Sequence, residues 1–271
     1  MIKIIVSIAI VFGLSIVAEK ASPKVAGILA GYPLGTAIVL FFIGLENGEV
    51  FAANSAVYAL SGLSATLCFV YIYYKTSNVF SSQHIQTRWH HVFIPSLLAT
   101  LSFLVIAALL SQFHMSLFES LLIMVVAIIF FSFQFKKIDN TQIVQKIKLT
   151  YNVILFRAGM AALIVLFITS IAALLGPKWS GILSAFPIAL FPLILVIHLS
   201  YGKQYVHTII KNFPHGLGAL IVYTIAVSYL YPRIGIYIGS LVCLGLATVY
   251  LLLYSITCHF LSKHKLRTHN N

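Results

Sequence analysis

Two short segments place a proline and a lysine in the first turn of an apolar stretch: Ser22-Pro23-Lys24 and Gly176-Pro177-Lys178. Serine is a good N-cap and proline suits the first helical position. The free backbone N–H groups of such a turn, joined by the lysine, can hold an anion. The same lysines can also serve as headgroup anchors whose stems lie along apolar surface. Farther along, each segment carries a second proline, Pro33 and Pro187. At helical rise each lies about 13 Å from its own lysine, close to the middle of an apolar layer about 30 Å thick. Each proline removes an intrahelical bond and is expected to free the carbonyl four residues back, Leu29 or Leu183, with Pro192 freeing Ile188. Those carbonyls and the hydroxyls of Tyr32, Thr36, Ser184 and Thr169 would line a polar path for a solute. The plainer alternative is a pair of kinks, with Gly27, Gly31, Gly35 and Gly181 as packing notches.

Glu119 is the one acid inside an expected apolar span. An intramembrane carboxylate is a candidate for proton or cation coupling, yet at this shallow depth it also suits a helix N-terminus. Arg157, equally shallow, is expected to snorkel. Asn54, Asn212 and His215 flank or enter apolar spans. Histidines His84, His90, His91, His114, His207, His259, His264 and His269 fall in or near loops, and His198 near the end of a span. No acid or cysteine joins them at ligand spacing, so neither a metal nor another cofactor is expected. The chain has no Gly-rich phosphate loop, no His-Glu-x-x-His and no Gly-x-Ser-x-Gly, and an enzyme is not expected.

The elements that must position these groups are membrane-spanning helices. Of 271 residues, 61% are hydrophobic and only 8% charged, against about 25% charged in a soluble domain. The apolar stretches are about 20 residues long, the length of a spanning helix. The fold expected is an all-α polytopic transmembrane bundle of about nine spans, near 2–18, 25–45, 50–73, 91–111, 115–135, 153–175, 179–200, 207–230 and 235–258. The start of the chain imitates a secretory signal, but its small-residue pattern is poor, and it is read as the first span. The net charge of +12 reflects short basic loops rather than affinity for nucleic acid. Most Lys and Arg, among them Lys24, Lys75, Lys136, Lys146, Lys203 and Lys263, fall on one side of this layout. Lys3, Lys178 and Arg233 fall on the other. That asymmetry puts the N-terminus outside and the C-terminus in the cytoplasm of a cell inner membrane. Cys68, Cys243 and Cys258 suggest neither a disulfide framework nor a thiolate metal site.

The two lysine–proline segments are copies. Ser22-Pro-Lys-Val-Ala-Gly-Ile-Leu-Ala-Gly-Tyr-Pro33 returns as Gly176-Pro-Lys-Trp-Ser-Gly-Ile-Leu-Ser-Ala-Phe-Pro187, and the same offset carries Gly48 onto Gly202 and Gly62-Leu63 onto Gly216-Leu217. Spans one to four match spans six to nine. The unmatched fifth span flips the second copy, so the expected arrangement is two inverted repeats. Transporters built from such repeats place their site near the midplane. Organisation follows: a first unit over 1–135 including the extra span, a cytoplasmic loop over 136–152, a second unit over 153–261 and a basic disordered tail over 262–271.

The segments Ala26-Gly-Ile-Leu-Ala-Gly-Tyr-Pro33 and Lys178-Trp-Ser-Gly-Ile-Leu-Ser-Ala-Phe-Pro187, with the apolar run to His198, resemble the GlpM-like family of small hydrophobic bacterial membrane proteins. In that family a similar small-Gly-aliphatic segment leads to Phe-Pro within a helix, with a histidine shortly after. Its members look like single units of about half this length, and this chain carries two with a span between them. The layout also resembles that of drug/metabolite transporters, as an analogy of architecture alone. The resulting expectation is a secondary transporter of a small organic or anionic solute passing between spans two and seven. Its expected binding residues are Pro33, Pro187, Lys24, Lys178, Tyr32, Thr36, Ser184 and Glu119. The expected partners are the lipid bilayer and that small-molecule solute, with a homodimer as an open alternative and no nucleic acid. A non-transporting scaffold or accessory subunit of an envelope complex is the rival expectation.

Overall fold

The computed structural model describes residues 23–80, 90–138 and 151–269. The expected span over 2–18 lies outside the described residues. Within them every regular element is helical. In chain order these are α1 (Pro23–Ala30), α2 (Leu34–Asn47), α3 (Glu49–Val79), α4 (His90–Ser111), α5 (Leu117–Lys136), α6 (Tyr151–Ser184), α7 (Leu190–Tyr201) and α8 (Lys203–Asn212). A 3₁₀ turn over Phe213–His215 leads to α9 (Leu217–Ile234) and α10 (Ile236–His269).

Seven helical stretches among the described residues are long and apolar enough to cross a membrane: Val25–Asn47, Glu49–Val79, His90–Ser111, Leu117–Lys136, Leu155–Ser184, Leu217–Ile234 and Ile236–Thr257. Helix α7 is apolar but shorter. Their outer faces carry Phe93, Leu104, Phe118, Phe133, Leu174 and Leu241 in the open. So much exposed apolar side chain has no place in water and suits hydrocarbon. The chain is therefore a membrane-embedded helix bundle.

Proline and glycine set the punctuation. Helices α1 and α2 are separated by Gly31-Tyr32-Pro33, and α6 and α7 by the segment around Ala185-Phe186-Pro187. Helix α6 itself bends at Gly176, whose φ is 75° and ψ 175°. The hydroxyl of Ser180 spans that bend, donating to the carbonyls of Ala172 (3.0 Å) and Gly176 (2.8 Å). Between α2 and α3 the chain reverses at Gly48 (φ 93°, ψ 164°), and between α7 and α8 at Gly202 (φ 91°, ψ 172°). This region of backbone space is essentially restricted to glycine, so the lack of a Cβ at each position permits both reversals.

Helix α3 is the most enclosed span. One core cluster gathers its later half (Leu67, Phe69, Val70, Tyr73) with α4, α5, α7 and α8. A second joins α2 (Ile38, Val39, Phe42) to Ala161, Val165 and Ile168 of α6 and to α9 and α10. The two helix breaks lie between these clusters, which hold their flanks on either side.

Candidate functional site

The site is built from the two breaks. At the first, Gly31 N–H donates to Ile28 O (3.1 Å), Tyr32 N–H to Leu29 O (3.0 Å), Leu34 N–H to Tyr32 O (2.8 Å) and Ala37 N–H to Pro33 O (2.6 Å). At the second, Ala185 N–H donates to Ile182 O (3.1 Å), Phe186 N–H to Leu183 O (3.0 Å), Ile188 N–H to Phe186 O (2.7 Å) and Phe191 N–H to Pro187 O (2.7 Å). The bonds match one for one at the offset of the sequence echo. The prolines therefore do not leave Leu29 and Leu183 free, as the helix argument predicted. The last turn tightens to i→i−3 bonding, and each of those carbonyls accepts from the residue preceding its proline. Pro192 stands in the first turn of α7, where a missing N–H removes little.

Packing around the breaks repeats with the halves exchanged. A Cβ at Gly27 would meet Ile209 O at 2.5 Å and Asn212 Cβ at 3.1 Å. A Cβ at Gly181 would overlap Ser55 O and lie 2.9 Å from Tyr58 Cβ. Ser55 and Tyr58 are the echo positions of Ile209 and Asn212. Likewise Gly31 lies against Gly216, while Gly62 lies against Ala185 and Ile182. So the short helix α1 runs on α8 and the 3₁₀ turn, and the short helix Pro177–Ser184 runs on the first turns of α3. Each short helix belongs to one copy and rests on the other.

Hydroxyls break this correspondence. Thr36 donates to Ser184 O (3.0 Å) and Thr66 to Ala185 O (2.5 Å), both bonds buried. The echo positions of Thr36 and Thr66 are Leu190 and Leu220, which carry no hydroxyl. Between the breaks lies a cavity of about 20 Å³, lined by Tyr32, Thr36, Thr66, Phe186, Pro187 and Leu220 among others. That is room for roughly one water molecule. Thr66 is a member of the site that the sequence alone did not single out. Replacing it by valine is expected to destabilise the protein by about 1–3 kcal/mol, the penalty of a buried carbonyl losing its donor, as read from thermal unfolding in detergent. Thr36→Val is expected to fall in the same range.

Of the expected site residues, Tyr32, Thr36 and Pro187 line the cavity. Pro33 is buried beside Tyr32, and Ser184 supplies its carbonyl while its hydroxyl turns back to Gly181 O at 2.7 Å. The Tyr32 hydroxyl shares a 2.7 Å hydrogen bond with Thr248 of α10, tying the first break to the last helix. Lys24 falls in the first turn of α1, and Lys178, half-buried, just after the bend at Gly176. Both are at the far ends of the short helices, away from the cavity. Glu119 is not at the breaks either. It is exposed at the start of α5, where its carboxylate accepts from Ser116 N–H (2.7 Å) and Ser116 Oγ–H (2.8 Å) in a capping box.

A second polar cluster sits near the meeting of α7 and α8. His198 Nδ1 and the Tyr73 hydroxyl are 2.8 Å apart, and His207 Nε2 and the Ser77 hydroxyl 2.9 Å. Both histidines are buried, and His207 also packs edge-on to Tyr74. His207 is not the loop-side residue that chain position suggested, and His198 lies near the end of its helix as expected. Tyr73 and Ser77 are one turn apart on α3 and grip the helices on either side of Gly202. The signal was the four-residue spacing of two hydroxyls on a buried span, which only a known partner makes meaningful. Among the described residues no group of His, Cys, Asp and Glu is placed to hold a metal ion.

Set against known proteins, the chain matches no family model, no curated protein and no solved structure.

Proposed function

We propose that this protein is a small secondary transporter of the bacterial inner membrane, built from two inverted units that meet at the paired helix breaks. The observation that carries the reading is the exchange of packing between the copies: Gly27 against Ile209 and Asn212, Gly181 against Ser55 and Tyr58. Such an exchange is what a two-fold axis through the breaks produces. The unmatched helix α5 lies between the two units, so the second unit would enter the bundle from the opposite end. Counting residues 2–18 as the first span, and each broken pair (α1 with α2, Pro177–Ser184 with α7, α8 with α9) as one span, nine crossings result. The excess of Lys and Arg on one side supports an outside N-terminus and a cytoplasmic C-terminus.

Broken helices near the midplane are where such transporters bind their solutes. Here they carry the Thr36 and Thr66 hydroxyls and Tyr32. Scarce acids and a lysine at the outer end of each short helix favour an anionic solute. Rocking of one unit against the other would widen the water-sized cavity from alternate sides. The GlpM-like resemblance agrees with a Phe-Pro break followed by a histidine, His198, but it names no solute. The small size of that cavity is the observation that favours the second reading, a non-transporting scaffold.

Water access separates the two. Single cysteines at Thr36 and Pro187, with Cys68, Cys243 and Cys258 replaced, should react with small charged thiol reagents in intact membranes. Reaction at both supports the transporter. Inertness at both, with a surface control labelling normally, supports the scaffold.

A further inference from the structure

Arg157 was expected to snorkel to the surface and does not. It is 4% exposed, and neither its Nε nor its Nη1 meets a hydrogen-bond partner. It lies two residues inside the apolar stretch that begins at Leu155, close enough for its long side chain to reach water. Instead it shares the buried side of α6 with Ala158 and Ala161, and that face continues through Val165 and Ile168 into the core.

The described acids are at the wrong end. Glu119 is engaged by Ser116 at the start of α5, and Glu46 and Glu49 flank the Gly48 reversal. Tyr58, in the early part of α3, meets the chain just before α5 through a 3.4 Å bond from Met115 N–H, so these three acids share one end of the bundle. Arg157 is at the other, because its neighbour Phe156 lines a groove with Val92 of early α4 and Leu199 of late α7. A guanidinium remains charged and presents paired donors that match a carboxylate or a phosphate. A buried charge without a partner is strongly unfavourable. Its presence in a membrane span marks function by default.

We propose that Arg157 is the seat of an anion site inside the bundle, taking the carboxylate or phosphate group of a bound molecule. The site does not depend on transport: it stands whether the chain moves what it binds or only holds it. The group can come from a free solute or from a lipid headgroup.

The test is thermal unfolding of the full chain in nanodiscs. One set contains phosphatidylcholine alone, with phosphate, acetate or chloride at equal ionic strength. The other mixes in phosphatidylglycerol. At saturating anion the wild-type midpoint should rise by about 5 °C or more. Arg157→Gln should abolish the rise, and Arg157→Lys should retain part of it. Arg157→Met removes a buried charge whose Nε and Nη1 lack partners, so without anion it should melt no lower than wild type and show no response. A rise with phosphate or acetate in phosphatidylcholine identifies a free anion, and a rise only with phosphatidylglycerol identifies a lipid headgroup. The proposal is overturned if wild type and Arg157→Gln respond alike, or if neither anion nor phosphatidylglycerol moves the midpoint. Glu19 and Asp139 are the two acids outside the described residues. The proposal is also overturned if Glu19→Gln or Asp139→Asn lowers the midpoint sharply and abolishes the difference between wild type and Arg157→Met, for then a side chain is the partner. The readout is binding alone, so failed transport and a failed site remain distinguishable.

Discussion

Alanine at Gly181 or at Gly216 is expected to prevent the bundle from assembling, while alanine at Gly159 or Gly245 is tolerated. One methyl group separates these outcomes. At Gly181 the new Cβ would overlap the carbonyl oxygen of Ser55, and at Gly216 that of Ile28. Both obstacles are backbone carbonyls of helices, so neither can rotate away. Forcing the helices apart also breaks the contacts of Gly31 with Gly216 and of Gly62 with Ile182 that share the same interfaces. Ordinary overpacking costs about 1–3 kcal/mol. A clash with two rigid backbones belongs to the rarer class above about 4 kcal/mol. By contrast nothing lies within 4 Å of a Cβ at Gly159 or Gly245, and alanine there should add up to about 1 kcal/mol of helix stability. Detergent-extracted yield and monodispersity by size-exclusion chromatography distinguish the two sets. Gly27→Ala should behave like Gly181→Ala, because the two glycines occupy equivalent contacts in the exchanged halves.

The second large effect is expected at the Tyr73–His198 and Ser77–His207 pairs. Tyr73→Phe and His198→Leu each leave a buried polar atom without its partner, and each should destabilise by about 1–3 kcal/mol. The double variant should lose less than the sum of the two, with a coupling energy of about 0.5–3 kcal/mol. The same cycle on Ser77→Ala and His207→Leu should behave alike. Both pairs join α3 to the helices on either side of Gly202. Losing both should therefore loosen that joint, seen as faster proteolysis near Gly202 in intact membranes. Strict additivity in either cycle would mean that the pair contributes nothing as a pair.

Much of this architecture was legible because proline and glycine act locally. Pro33, Pro187, Gly48 and Gly202 each restrict the backbone by their own covalent structure, so their recurrence at one offset pointed directly to matching breaks and reversals. The helical class followed from apolar stretches too long and too uncharged for anything else. What failed was whatever depends on a partner from elsewhere in the chain. Leu29 and Leu183 were expected to be free because the helix argument ends at the lost bond, whereas the chain tightens and reuses them. His207 looked like a loop-side residue, and His198 like the end of a span, until α3 brought Ser77 and Tyr73 against them. Arg157 looked like a snorkelling cation because its depth is shallow. Its inward turn depends on the face of α6 that meets the neighbouring helices. Glu119 shows the reverse: its shallow depth already suited a helix N-terminus, and Ser116-x-x-Glu119 is a capping-box spacing that α5 uses.

The central claim is that the two copies face opposite sides of the membrane around paired breaks. Labelling single cysteines at Lys24 and Lys178 with an impermeant thiol reagent, in intact cells and in inverted vesicles, tests it most directly. The account predicts that Lys24→Cys reacts only in inverted vesicles and Lys178→Cys only in intact cells. Reaction of both from the same side would contradict the inverted arrangement, and the transport reading built on it would fall.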